Sequence, residues 1–428
     1  MKIEVSMGEV YDKLSILDLK LEYIGDIEKR KEIERERNAF CVTEYPCEYA
    51  ILLDINRQIW ILTDKIKQTS PDNAAYAGLA HEIMELNQMR FRVKNTINCS
   101  SEGSLKEQKS YANSHAILFV TDFWKAVPVA RYLLTIHDTL SFEGNTSQIE
   151  TLFTSHNEHS DKRYIDTDVT VPDTYVFPPI RYVSGGLLGD FIHQLSVVCE
   201  KSMQTGRKSK LYISDTVGDR FRLGIEHTYN DIFPIVSRLP YIESFEKHTD
   251  QVVDINLSDW RRDVSTIYQK SWMDIFSMYG VKWGSRAWLT ATSVDDLRNI
   301  TLISTTSTRF NDSIDWKDLV KRLENPVFLN NAGSGEYEAF SSRTGVRIPM
   351  YTANNFTELA NAIFSCKMFV GTLSMPLALA DGFKKDRLAI VIPNHPDTAI
   401  AIKTNPSFYP VTLDNTASRK VLGFHLSR

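Results

Sequence analysis

Along the first hundred residues the apolar positions recur with a helical period. Met7, Val10, Leu14, Leu17, Leu21 and Ile24 are spaced 3, 4, 3, 4, 3, which puts them on one stripe of a helix. Leu52, Ile55, Ile59, Leu62 and Ile66 form a second stripe, ended by the turn SPDN at 70–73. Leu79, Ile83, Leu86, Val93 and Ile97, with Met89 beside them, form a third. Three such helices predict a small antiparallel helical module over residues 1–110. The run EKRKEIERER at 28–37 reads as a solvated helix face. Each helix holds only about three heptads, too few for a long coiled coil. Ile16, Leu19, Trp60 and Ile61 fall beside the stripes. Core packing is the first expectation for them, and a contact in a homodimer is the alternative.

The polar stretch CSSEGSLKEQKS ends this module. Residues 111–180 read as a connecting segment, partly helical. It holds a helical or βα piece at 116–141, the polar loop GNTSQIE and the proline-punctuated VPDTYVFPPI. From 180 onward short apolar runs alternate with amphipathic ones: RYVS then FIHQLSVVCEKSM, KLYIS, QVVDINL, and later NITLIS, NPVFLNN, ELANAIFSC, KMFVG and RLAIVIP. That alternation predicts parallel sheets wound by helices. It falls into two blocks, 181–295 and 296–428. The fold class expected is therefore α/β, two Rossmann-like domains preceded by an α-helical module.

Composition narrows the partners. The net charge of −5 gives no global attraction to nucleic acid or to anionic membranes. Five scattered cysteines without CxxC spacing argue for reduced thiols in a cytosolic chain. The N-terminus lacks the pattern of a signal peptide. The most apolar run, 116–134, contains Asp122, Lys125, Pro128 and Arg131, so no transmembrane segment is expected.

Two joints carry candidate chemistry. In YVSGGLLGDFIHQLS, Gly185, Gly186 and Gly189 follow a strand, and Asp190 opens a helix. Glycine lets backbone N–H groups approach a ligand, and the carboxyl ends of strands are where open α/β sheets bind. Asp190 is suited to take a proton from a hydroxyl, but a helix cap explains an aspartate there equally. His193 lies one turn further on. The spacing is neither G-x-G-x-x-G nor a Walker A loop. The second joint is KMFVGTLSMPLALADGF, with Gly371, Thr372, Ser374 and Met375 before a helix opened by Pro376. Upstream, ISTTSTRF brings Thr308 and Arg309 to the end of a strand, and arginine offers a fork for phosphate oxygens. Glu338, with Tyr337, could face a ribose or begin a helix. The stretch 254–272 offers Trp260 and Arg261 as a wall for an acceptor. No metal-ligand cluster is expected.

The segment ELANAIFSCKMFVGTLSMPLALADGFKKDRLAIVIP is similar in layout to the nucleotide-binding half of heptosyltransferase-type glycosyltransferases of family 9. The turn Gly189-Asp190 resembles that family's first turn, where the aspartate is the proposed base. VSMGEVYDKLSILDLKLEYI, DINRQIWILTDKI and LKEQKSYA resemble an uncharacterised bacterial family associated with such transferases. The resemblances cover about 1–110 and 181–395. They imply the GT-B architecture, metal-independent inverting transfer from a nucleotide-diphosphate sugar, no cofactor, and a glycan or lipid-linked saccharide as acceptor. One departure is plain. The family has D-[ST]-G-x-x-H at the second turn, and here that stretch is Leu373-Ser374-Met375-Pro376-Leu377-Ala378. Donor contacts by those two side chains do not carry over. A non-catalytic nucleotide-sugar-binding or assembly protein, or a sugar-nucleotide epimerase, therefore stands beside the transferase reading.

Overall fold

A computed structural model describes residues 5–40, 45–101, 114–153, 163–165, 169–262, 267, 270–392, 397–405 and 408–409. The segment LKEQKSYA and Cys41 lie outside them. The chain divides into two units, Met1–Pro178 with Met203–Arg207, and Pro179–Ser202 with Lys208–Arg428.

The first unit begins with four helices: α1 (Met7–Tyr23), α2 (Ile27–Arg37), α3 (Pro46–Lys67) and α4 (Ala74–Ser100). Side chains at their starts explain where they begin. Ser6, Asp26 and Asn73 accept backbone N–H bonds from the first turns of α1, α2 and α4. The stripes meet in one core of Ile51, Leu52, Ile55, Leu62, Leu86, Val93 and Ile97. The charged run is a helix of its own, α2, with no buried residue. On α1 Leu14 and Leu17 of the stripe are buried, and the buried face widens beyond it to Tyr11, Asp12, Ser15 and Leu19. Asp12 is buried because Arg90 on α4 and Asn56 on α3 both donate to it. Trp60 stacks on Tyr23 at 5.7 Å, and Ile61 is exposed.

Helices α1 and α4 pack tightly at Gly8, where an added Cβ would lie 2.5 Å from the Lys94 carbonyl oxygen. Gly8→Ala is therefore expected to lower the stability of this unit by about 1–3 kcal/mol, read as an earlier midpoint in urea denaturation followed by circular dichroism.

The apolar run at 116–134 splits in two. Its front is strand β1 (His115–Val120) and its back is helix α5 (Phe123–Ile136), with Asp122 as the helix cap between them. Strand β2 (Thr139–Gly144) then runs into the stretch read as a polar loop. With β3 (Arg163–Ile165) they form a parallel sheet in the order β2-β1-β3. The connecting segment is thus a small βαβ unit. No described helix is long and apolar enough to cross a membrane.

The second unit contains two parallel sheets. The first has β4 (Ile180–Ser184), α6 (Leu188–Thr205), β5 (Ser209–Ile213), α7 (Ile225–Val236), β6 (Ile242–Lys247) and β7 (Ile255–Asn256). Its strand order is β6-β5-β4-β7. A short helix, α8 (Trp272–Phe276), comes next. The second sheet is built from β8 (Thr301–Ser304), α9 (Trp316–Arg322), β9 (Pro326–Asn331), α10 (Glu336–Thr344), β10 (Met350–Ala353), α11 (Phe356–Ser365), β11 (Met368–Thr372), α12 (Met375–Gly382), β12 (Asp386–Ile390), α13 (Thr398–Thr404) and β13 (Phe408–Tyr409). Its order is β10-β9-β8-β11-β12-β13.

Every described strand pair in both sheets is parallel. The central strands β4, β8 and β11 are buried along most of their length, as expected of strands inside parallel sheets. In each sheet the chain winds outward from a central strand and then returns to that strand's other side. The direction reverses between β4 and β7, and again between β8 and β11. Loops diverge at such a point and leave a crevice beyond the carboxyl ends of the strands.

Candidate functional site

The first crevice holds Asp190 and Arg261. Helix α6 begins at Leu188, so Gly189 lies in its first turn and Asp190 projects from that turn rather than preceding it. The Asp190 carboxylate pairs with Arg261 Nη2, and Arg261 Nη1 pairs with Asp219 from the loop after β5. Arg261 comes from the 3-10 turn Asp259–Arg262 just past β7, and its guanidinium lies 4.6 Å from the Trp260 ring centroid.

Gly186 has φ +105, and a Cβ there would come within 2.9 Å of Arg261 Nη2. That glycine makes room for the arginine. Gly185 answers a different need, since a Cβ on it would lie 1.8 Å from the Val217 carbonyl oxygen.

The second crevice is formed by the loops after β8 and β11. Arg309 donates from Nη1 to the Leu373 carbonyl, and its Nη2 lies 2.9 Å from Asp397 Oδ2 at the start of α13. Ser374 occupies the N-cap position of α12, but its hydroxyl donates to the Thr372 carbonyl at 3.2 Å. It therefore caps no N–H of the first turn.

Both crevices open into one cleft of about 960 Å³, lined by Gly189, Asp190, His193, Trp260 and Arg261 from one side and by Thr308, Arg309, Ser374, Met375 and Asp397 from the other. The walls are close: a Cβ on Gly189 would lie 3.7 Å from Met375 Cα. Asp190, Asp219, Arg261, Arg309, Ser374 and Asp397 all come from loops or first turns just past the carboxyl ends of parallel strands.

Burial pushes the Asp190 carboxyl up to about 6 against the pull of Arg261, with Asp397 adding to the rise and Arg309 opposing it. A carboxylate poised there is ionised at neutral pH yet basic enough to accept a proton. His193 goes the other way. Burial, with the Arg387 charge, lowers it to about 3, so it stays neutral. Its Nε2 is 3.8 Å from Asp381 Oδ2, and its ring is 4.7 Å from that of Trp272. Asp381 is itself raised to about 6 by burial and is held by Arg387. His193 is thus a packed wall residue.

Several residues named from sequence stand away from the cleft. Thr372 is fully buried and accepts the Thr306 N–H at 3.1 Å. Gly371 permits close packing, since a Cβ would strike the Phe369 ring at 2.5 Å. Glu338 is exposed and is not among the cleft-lining residues. The acidic residue that does hold the β8 loop is Glu336, which accepts from the Ser307 N–H and hydroxyl. The stretch 254–272 is described only in part, with 263–266 and 268–269 outside. Asp219 and Asp397 were missed from sequence. Their signal was position, each in a loop that follows a parallel strand.

Two Rossmann-like domains over one cleft, with a helical region before them, are the GT-B layout. Residues 1–118 match a family model described as "Family of unknown function (DUF6165)". No curated protein matches the chain. Among solved structures, a glycosyl transferase family 9 protein from Veillonella parvula DSM 2008 is similar at 12% identity and a TM-score of 0.39, over 57% of this chain and 90% of that one. The ADP-heptose lps heptosyltransferase II of E. coli is similar at 11% identity and 0.37, over 58% and 98%. The dodecameric iron-containing heptosyltransferase TibC of enterotoxigenic E. coli, in complex with ADP-D-beta-D-heptose, is similar at 12% and 0.36, over 55% and 64%.

Proposed function

We infer that the protein is an inverting glycosyltransferase that moves a sugar from a nucleotide-diphosphate donor to a saccharide hydroxyl. The observation that carries this is the pairing across one cleft of a carboxylate raised toward neutrality, Asp190, with a phosphate-suited group, Arg309 at the opening of α12. Asp190 takes the proton of the acceptor hydroxyl as its oxygen attacks the anomeric carbon. The bond from that carbon to the diphosphate breaks on the opposite face, and the diphosphate carries the electron pair away. Arg309, exchanging Asp397 for phosphate oxygens, and the N–H groups of Ser374 and Met375 meet that charge. One preorganised donor of this kind is worth roughly 3 kcal/mol in the transition state. The acceptor is a glycan or a lipid-linked saccharide.

A binding protein without turnover is the second reading. It is favoured by the stretch 373–378, where the aspartate and histidine expected of such transferases are replaced by Leu373 and Ala378. Calorimetry with a panel of nucleoside diphosphates, followed by donor hydrolysis assays, separates the two. Binding with hydrolysis fits the transferase, and binding alone fits the second reading. Arg309→Gln is expected to weaken diphosphate binding about ten-fold or more, a loss of about 1.4 kcal/mol. Unchanged affinity in that variant removes Arg309 from the donor site.

A further inference from the structure

The Asp190 carboxylate is not free in this cleft, because Arg261 holds it. The arginine has two carboxylate partners of unequal standing. Asp219 is 58% exposed, where an ion pair is weak and easily exchanged. Asp190 is largely covered. A third donor on the same guanidinium, Nε–H, is buried and has no acceptor among the described residues. The indole Nε1–H of Trp260, a residue nine-tenths buried whose ring centroid lies 4.6 Å from the guanidinium carbon, also has none. Both residues line the cleft. A buried donor without an acceptor is costly, and a ligand oxygen recovers that cost.

The geometry says which ligand fits. Nε and Nη2 share one edge of the guanidinium, the edge that grips a carboxylate or phosphate with two parallel bonds. Glycine at 186 leaves that side clear, since a Cβ there would lie 2.9 Å from Nη2 and 3.6 Å from Nε. An anion seated on this edge takes Nε and Nη2 together, and Nη2 is the nitrogen that Asp190 occupies. Nη2 has two N–H groups, so it is the repulsion between two anions on one nitrogen that drives Arg261 off Asp190.

We propose that Arg261, with Trp260, is a subsite for a carboxylate or phosphate on the acceptor saccharide, and that filling it releases Asp190 to act. This rests on the transferase reading for the part played by Asp190. The binding step stands without it. Paired with Arg261, the Asp190 carboxylate is latched and is not offered to water. An acceptor bearing an anion next to the reacting hydroxyl exchanges one carboxylate for another at Arg261, and the freed Asp190 carboxylate, without its partner, is the more basic. A neutral sugar has nothing to exchange and leaves the latch closed.

Calorimetry on the full chain tests this with four probes: methyl β-glucuronide, glucose 6-phosphate, methyl β-glucoside and inorganic phosphate. One of the two anionic sugars is expected to bind, and which one does tells carboxylate from phosphate. The neutral glucoside is expected not to saturate. Arg261→Gln should weaken the anionic sugar about ten-fold or more. Asp219→Asn should tighten it several-fold by removing a like charge from the same guanidinium, a gain that misfolding does not produce. Arg309→Gln should leave it unchanged, which separates this subsite from the diphosphate site on the other wall. The proposal is overturned if neither anionic sugar binds, if the glucoside binds as well, if Asp219→Asn gives no gain, or if Arg309→Gln rather than Arg261→Gln abolishes binding. Failure of nucleoside diphosphates to bind would remove the transferase reading and leave this measurement standing.

Discussion

Asp190→Asn is expected to lower transfer by ~10²–10⁴-fold while making the folded protein more stable at neutral pH. The two effects have one cause. Burial raises the Asp190 carboxyl to about 6 from its ordinary 3.8, so the folded chain holds the proton more tightly than the unfolded chain does. Stability from such a group is fully present below the unfolded value and is lost as pH rises through the folded one. The window therefore runs from about 3.8 to about 6. Above it, the wild-type protein bears the cost of a largely buried charge, on the order of 2–3 kcal/mol at 1.36 kcal/mol per unit.

Asparagine mimics the protonated carboxyl and removes that cost. The gain in urea midpoint should be clear at pH 7.5 and absent below pH 4. Activity has the matching dependence. A base must be unprotonated, so turnover by the wild-type protein rises with pH through a limb near 6. Nucleotide binding should be untouched, because Arg309 and Ser374 stand on the other wall. Full turnover by Asp190→Asn, or equal stability of the two proteins at every pH, would contradict the assignment.

How far the sequence reached can be told from particular residues. The stripes Leu52, Ile55, Leu62 and Leu86, Val93, Ile97 were legible because burial on one helix face imposes a period that needs no partner to be seen. The burial of Asp12 was not legible, since it depends on Arg90, which is 78 positions away. Alternating strands and helices gave the parallel sheets. The strand order did not follow from them, and it is strand order that creates the two crevices.

Asp190 and Arg261 each stand out in the sequence, one as a base and the other as part of an acceptor wall. Their pairing spans 71 positions and depends on β7 returning beside β4. Gly186 reads in sequence as clearing room for a substrate, and the group nearest it is Arg261. Asp397 escapes notice because its one signal, a place in the loop after a parallel strand, is shared by many polar residues. Only the fold brings it to Arg309.

Trp288→Ala should be the most damaging single change to the second unit, at about 3–5 kcal/mol. Trp288 is 1% exposed and sits where the helices of the two walls meet. Its indole Nε1 donates to the Ile192 carbonyl of α6 at 2.8 Å, and its backbone N–H donates to the Gly382 carbonyl of α12 at 3.0 Å. Tyr241 donates to the Trp288 carbonyl at 2.7 Å, and the Trp283 ring packs at 5.0 Å. The joint tolerates no extra atoms, since a Cβ on Gly382 would fall 2.4 Å from Leu289 Cδ1.

Ile192 is two residues past Asp190, and α12 is the helix that Ser374 opens, so Trp288 ties together the two helices whose first turns face each other across the cleft. Removing it costs packing and also frees the two walls to move. Trp288→Phe keeps most of the ring and loses only the Nε1 bond, for which about 1 kcal/mol is expected. The pair of variants separates the contributions. Urea denaturation should rank wild type above Trp288→Phe and place Trp288→Ala far below. In conditions where Trp288→Ala is still folded, diphosphate affinity should fall with it, because the site is assembled across the joint. A Trp288→Ala protein as stable as Trp288→Phe, with unaltered ligand affinity, would mean that the walls are positioned by something other than this contact.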